Sequence, residues 1–197
     1  YDHGDVPVDL NWEKYYSTVE DNALSLLQSK KFCLFIGGDH SVSIPLQKAF
    51  SNNFKGKKIG IIHFDSHSDI CDVYDNHPWS HACTEKRALD ELIHPENLAL
   101  VGIRSWEAEE IEYLKSNPVL LIRAWDLHHK GYPDACRLLQ ERFADYDALY
   151  FTLDIDVLDP SAAPGTGTPE AGGPSSREIL EMVKFIMREL PVKAMDL

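Results

Sequence analysis

The chain has little cysteine chemistry to offer. Its four cysteines, Cys33, Cys71, Cys83 and Cys136, include no C-x-x-C pair and none falls in a polar cluster, which argues against a structural zinc site. They suit core or loop thiols of a reducing compartment, and Cys71 and Cys83 could pair only if the loop between them folded back. Basic residues are scarce as well: 19 Lys+Arg stand against 32 Asp+Glu, a formal net charge of -13. Such a surface repels nucleic acid and anionic membranes and favours cationic ligands or metal ions, so neither nucleic acid nor membrane is an expected partner. No apolar run approaches the ~18 residues that cross a bilayer, and the opening YDHGDVPVDL lacks a basic-then-apolar leader pattern. A cytoplasmic location is expected.

What is present is globular. Hydrophobic residues at 44% and charged residues at 26% of 197 give enough apolar matter for one ordinary domain with a core. The chain opens on Tyr1 and stops at Val192-Lys193-Ala194-Met195-Asp196-Leu197, which reads like the start of another strand; a single domain over 1–197, short of segments at both ends, is expected.

Six short apolar runs alternate with segments of helical period: Phe32 to Ile36, Lys58 to Phe64, Leu98 to Ile103, Val119 to Ala124, Ala148 to Ile155, and Val192 to Leu197. Nearly continuous apolar runs suit strands buried on both faces of a parallel sheet. Ser175-Ser176-Arg177-Glu178 is a capping-box pattern, followed by Ile179, Val183, Ile186 and Leu190 at helical spacing. Tyr132, Cys136, Leu139 and Phe143 mark a second helix, and Ser17 to Glu20 with Leu24 and Leu27 a third. Strand and helix in turn predict a doubly wound α/β domain, in which ligands bind beyond the carboxyl ends of the strands.

Three strand ends carry polar clusters: Gly37-Gly38-Asp39-His40-Ser41, His63-Phe64-Asp65-Ser66-His67-Ser68-Asp69, and Asp154-Ile155-Asp156. The plain reading of alternate polar positions is an exposed strand face. Yet crowded carboxylates raise each other's pKa unless a cation sits among them, and an Asp-rich, His-poor donor set suits manganese. An extended Asp65 to Asp69 would cover about 13 Å at ~3.3 Å per residue, so the segment must curl after Asp65 for both carboxylates to serve one site. Gly37-Gly38 would let the first strand turn and aim His40 inward. Asp65, Asp69, Asp154 and Asp156 carry four negative charges, which two divalent cations neutralise and one does not. The Pro/Gly loop from Asp159 to Gly173 is either a plain connection or a site loop. It brings Glu170 beside the clusters, which makes sense for a cationic substrate, since carboxylate and guanidinium match bidentately.

These blocks, with Val157-Leu158-Asp159-Pro160 and Ala163-Pro164-Gly165-Thr166-Gly167-Thr168-Pro169-Glu170, resemble the signatures of the ureohydrolases: arginase, agmatinase, formimidoylglutamase and guanidino-acid hydrolases. The resemblance implies a three-layer α/β/α fold with two manganese ions. It implies that His40, Asp65, Asp69 and Asp154 hold one ion and Asp65, His67, Asp154 and Asp156 the other. A bridging hydroxide, oriented by Asp69, would attack the guanidinium carbon, Glu170 would bind the guanidinium, and urea and an amine would leave. His63 is read as a supporting or packing residue. His81 matches the loop histidine that passes a proton to the leaving amine, with His77 as the weaker rival. Arg104 is structural or lies at a subunit contact.

The same resemblance implies a homotrimer or homohexamer. Ala82-Cys83-Thr84-Glu85 after His81 departs from the more usual continuation in Gly, and the Asn-and-Ser pattern that grips an α-amino acid is not evident in Ile70 to Ser80. That loop offers Asp72 and Asp75 instead, which suit the free ammonium of agmatine. Guanidinobutyrate, arginine and formimidoylglutamate remain rival substrates. A catalytically silent regulatory relative would have lost a ligand, and none is lost; a single-zinc deacetylase would need neither His40 nor Glu170.

Overall fold

Runs such as Ala148-Leu149-Tyr150-Phe151 leave no polar face for water, and the chain buries them on both sides. The computed structural model describes residues 1–197. Its strands are β1 (Cys33–Phe35), β2 (Ile59–Phe64), β3 (Leu98–Ile103), β4 (Leu120–Arg123), β5 (Ala148–Leu153) and β6 (Val192–Asp196). They form one sheet in the order β1-β6-β5-β2-β3-β4, with every neighbouring pair parallel. Each expected run is a strand, shortened at most by two residues at an end.

Side chains alternate between two helical layers, as the two-residue period requires. Ile62, Phe64, Val101 and Phe151 face Leu139 and Phe143 of α6 (Tyr132–Phe143) and Met182 and Ile186 of α7 (Ser176–Glu189). Ile61, Leu100 and Tyr150 face Val19 and Ala23 of α1 (Trp12–Leu27) and Leu46 and Phe50 of α2 (Ser43–Asn53). The expected α/β/α sandwich is the observed one. α3 (Thr84–Glu91), α4 (Ala108–Ser116) and α5 (Ala124–Lys130) complete the helices. The capping box at the start of α7 forms as expected, with Ser175 N–H donating to Glu178 Oε2 at 2.8 Å and Glu178 N–H to Ser175 Oγ at 3.3 Å.

The strand order decides where a ligand can sit. The chain leaves β2 toward β3 and leaves β5 toward β6, in opposite directions, although β2 and β5 are neighbours. Connections that diverge from adjacent strands open a crevice at their carboxyl ends. The second and third polar clusters lie at those two ends.

Two local details differ from expectation. β5 stops at Leu153, and Asp154-Ile155-Asp156 does not alternate along a strand: Asp154 caps a 3-10 turn at Ile155–Val157, its carboxylate accepting from Asp156 N–H at 2.9 Å. Gly37 and Gly38 lie outside the left-handed region; a Cβ at Gly37 would fall 2.6 Å from Val42 Cγ1, so close approach is what requires glycine there.

Gly102 is another position where glycine is required. Its φ is +95°, it sits at a register shift between β3 and β4, and a Cβ would lie 2.5 Å from Val157 Cγ2 and 3.0 Å from Asp65 O. Gly102→Ala is therefore expected to destabilise the chain by about 1–3 kcal/mol, read as a drop in Tm of several degrees. Because the clash reaches Asp65, cation uptake should weaken with it.

Candidate functional site

The segment after β2 curls, as the reach of the chain demanded. Strand geometry ends at Phe64, Asp65 and Ser66 bend, and His67 pairs alongside Ser105. The curl is held by Asp65 Oδ1, which accepts from His67 N–H at 2.7 Å. Asp69 adopts φ +51°, a conformation that Asp tolerates better than most residues. Its carbonyl accepts from Glu85 and Lys86 N–H, at 2.9 and 3.2 Å, at the opening of α3. Backbone strain and an anchoring helix thus aim one buried carboxylate.

His40 arrives from the turn after β1. Its Nδ1 lies 3.0 Å from Asp65 Oδ2, 3.0 Å from Asp69 Oδ2 and 3.4 Å from Asp154 Oδ2. Although buried among three carboxylates, this nitrogen is aligned with none of them as a hydrogen bond. On the other side of Asp65, His67 Nδ1 lies 3.2 Å from Asp65 Oδ1 and 3.3 Å from Asp156 Oδ2. Asp65 is common to both groups. Ser66 steadies Asp156, donating to its Oδ1 from the hydroxyl at 2.7 Å and from the backbone at 3.1 Å.

The electrostatics describe a site that must find positive charge. Burial favours neutral histidine, but the close carboxylates of Asp65 and Asp69 override it and hold His40 well above its usual range. His67 rises to about 10 against the same burial penalty, through Asp156 and Asp65. Burial and the charge of Asp65 push the Asp69 carboxyl up to about 6 and raise Asp154 in the same way. Asp65, surrounded by His40, His63 and His67, is held well below the carboxylate range despite its burial. Without a cation, protons on the histidines take over its role. An unpartnered buried Nδ1, a carboxylate common to two donor groups and mixed N/O donors fit divalent cations.

His63 is fully buried and has both ring nitrogens occupied: Nδ1 lies 3.1 Å from Glu85 Oε1, and Nε2 lies 3.2 Å from the His67 carbonyl and 3.3 Å from Asp65 Oδ2. It props the cluster from below. Glu85 in turn accepts from Gln47 Nε2 at 2.8 Å. Neither Glu85 nor Gln47 stood out in the sequence, because each lies in an ordinary helical segment.

The rim holds the remaining candidates. His81 sits on a 3-10 turn, 42% exposed, with Nδ1 3.5 Å from Asp39 Oδ2 and its ring edge-on to Tyr74. Thr84 Oγ1 lies 2.9 Å from the His81 carbonyl and 3.3 Å from that of His40, tying the two turns together. His77 is packed against Trp12 and Trp79 with ring centroids 5.0 and 6.0 Å away, a structural setting. Asp72 is paired with Arg87 at 2.8 Å and is 71% exposed. Asp75 occupies the tip of a tight turn in which Asp75 and Asn76 both have positive φ, 50° and 61°, and Tyr74 and His77 exchange backbone hydrogen bonds. That is the type I′ geometry. The loop from Cys71 to Cys83 does fold back, since Cys71 N–H donates to Ala82 O at 3.1 Å, but both thiols are free.

Arg104 is structural. Its guanidinium donates to the carbonyls of Gly102, Asp156, Val157, Leu158 and Glu170 at 2.8–3.1 Å. It thereby fastens the Pro/Gly loop over the crevice. Asp159 closes the same base, accepting from Ser161, Gly172 and Gly173 N–H at 3.0–3.3 Å. The Glu170 carboxylate, half-buried, makes no hydrogen bond or ion pair within the chain.

An all-parallel α/β/α sandwich with a histidine–carboxylate cradle at its switch point defines a class of α/β folds with a candidate cation site at the strand ends. Within it, the chain belongs to the Arginase family, whose sequence model matches residues 1–197. It is 38% identical to the agmatinases of Bacillus subtilis (strain 168) and Bacillus anthracis, covering 65% and 61% of their lengths with 100% and 94% of its own. It thus spans less than two thirds of the curated relatives. Among solved structures, proclavaminate amidino hydrolase from Streptomyces clavuligerus superposes with a TM-score of 0.90 at 28% identity, over 98% of this chain and 64% of that one. No helix is long and apolar enough to cross a membrane.

Proposed function

We propose that this protein hydrolyses a guanidino group, with agmatine as the substrate and putrescine and urea as the products. The observation that carries the reading is the unpartnered His40 Nδ1 amid three carboxylates, one of them shared with the His67 group. His40, Asp65, Asp69 and Asp154 would hold one manganese ion, and Asp65, His67, Asp154 and Asp156 the other. When bound, the ions would offset the carboxylate charge and make a water nucleophilic near neutral pH.

The chain's own residues would do the rest. Asp69, fixed by its backbone, orients the attacking water toward the guanidinium carbon. Glu170, with a free carboxylate, accepts hydrogen bonds from the cationic substrate. As the carbon–nitrogen bond breaks, the departing amine takes a proton from His81, and urea remains. Asp75 offers a carboxylate to the far ammonium, while Asp72 would have to share its charge with Arg87. The names of the Bacillus relatives support agmatine, and the likeness to an amidino hydrolase of a different substrate keeps other guanidino compounds in the comparison.

The test is urea release from agmatine, arginine and guanidinobutyrate after loading with manganese, with Asp154→Ala as the control. Urea from agmatine alone, lost in the variant, is the expected result. Two bound ions with no urea from any of the three would point to formimino substrates or a regulatory role. His81→Ala should keep both ions and slow turnover by about 10²–10⁴-fold, the usual worth of a positioned proton donor; full rate in that variant would remove His81 from the mechanism.

A further inference from the structure

Two imidazoles stand face to face behind the cluster, His40 and His63, with centroids 5.1 Å apart and planes 13° from parallel. What lies behind each differs. His63 meets a carboxylate directly, in Glu85. His40 meets a hydroxyl: its Nε2 lies 2.8 Å from Thr152 Oγ1, and Thr152 Oγ1 in turn donates to Asp196 Oδ1 at 2.6 Å. Asp196 Oδ2 also accepts from Ser43 Oγ at 2.8 Å and Tyr150 OH at 2.5 Å. Thr152 and Asp196 are both buried, on neighbouring strands β5 and β6.

The proton count in this chain has one solution. Three hydroxyl donors converge on Asp196, and a carboxylate can only accept. The single hydroxyl proton of Thr152 therefore points at Asp196, which leaves a lone pair facing His40. Nε2 must carry a hydrogen to meet it. The lone pair that His40 can give to a cation is then the one on Nδ1, the nitrogen aimed at Asp65, Asp69 and Asp154.

We infer that Thr152 and Asp196 are positioning residues that fix the tautomer of His40, holding Nδ1 ready as a cation ligand. The inference rests on the cation reading above and extends it to two residues that touch no proposed ion. A merely structural pair would stiffen the β5–β6 edge and leave the imidazole free to choose its tautomer.

The test has two arms. In the first, ¹⁵N-histidine-labelled protein is examined by long-range ¹H–¹⁵N correlation with Zn²⁺ as a diamagnetic probe, and His40 should carry its proton on Nε2. In the second, Mn²⁺ is titrated calorimetrically into the wild type, Thr152→Val and Thr152→Ser. Thr152→Val keeps the shape and removes the relay. It should lose about 10–100-fold in affinity at one of two sites, the usual cost of removing a group that orients a ligand, and Thr152→Ser should recover it. A proton on Nδ1, or Thr152→Val binding both ions like the wild type, would overturn the inference while leaving the cation site standing. A wild type that binds no Mn²⁺ would overturn the cation reading and the inference together. Should Thr152→Val not fold, the spectrum of the wild type decides.

Discussion

Replacing Asp65 with Asn is expected to abolish urea release, by at least about a thousandfold, and to cost the protein both of its ions. A bound cation supplies several kcal/mol of stabilisation to a developing charge, and each 1.4 kcal/mol is a factor of ten in rate. Asp65 is the residue that belongs to both candidate groups: Oδ2 faces His40 and Oδ1 faces His67. The amide keeps the side chain's shape and puts N–H hydrogens where a cation belongs. Asp156→Asn, by contrast, touches the His67 group alone and should leave the His40 ion in place. Atomic emission for bound metal and a urea assay on both variants make the comparison. An Asp65→Asn protein that retained two ions would show that the two groups do not share a ligand.

Removing the metal with a chelator should make the protein's stability fall steeply as pH rises. His63 and His67 both titrate near 10 in the folded chain, against an ordinary value of 6.5. A group with a raised folded value stabilises fully below its unfolded value and loses that contribution as pH climbs through the folded one. The histidine contribution is therefore present at pH 6 and gone above about pH 10. Asp69, raised to about 6, works in the same direction between pH 4 and 6. Asp65 has the opposite sign, since its depressed value costs stability only in acid. Between pH 6 and pH 10 the Tm of the chelated protein should drop by at least about 5 °C, a change of a kcal/mol or two for a chain of this size. Saturating Mn²⁺ should flatten the curve, because cations then replace the protons. A chelated protein with constant Tm across that range would mean that the carboxylates are not balanced by these histidines.

The sequence made the candidate ligand residues visible because their motifs are compact: Asp65, His67 and Asp69 lie within five positions, and Asp154 and Asp156 within three. The strands were equally plain, since each is an apolar run bounded by polar residues. What supports these candidates was hidden by distance. His40 and Thr152 are 112 positions apart, and a lone threonine in Ala148 to Leu153 looks like any β-branched strand residue. Asp196 looks like the polar end of a strand, and only its three hydroxyl partners reveal it as a buried anchor. Helix α2 escaped for another reason: seven of its eleven residues are buried, Ser43 and Gln47 among them, so it has no clean polar face to betray a helical period. The Asp154 turn was misjudged because a D-x-D spacing fits a strand and an Asx-type cap equally well.

The base of the Pro/Gly loop has a bearing on how such proteins diversify. Arg104 and Asp159 pin residues 156 to 158 to residues 170 to 173, so the intervening stretch leaves and returns at one fixed point. A closed stem of this kind makes the stretch a cassette. Its length and composition can drift, or be exchanged by grafting, while the stem stays in register with the cradle beneath it. Selection on what enters the crevice can then act on the cassette without reopening the question of how the cradle folds.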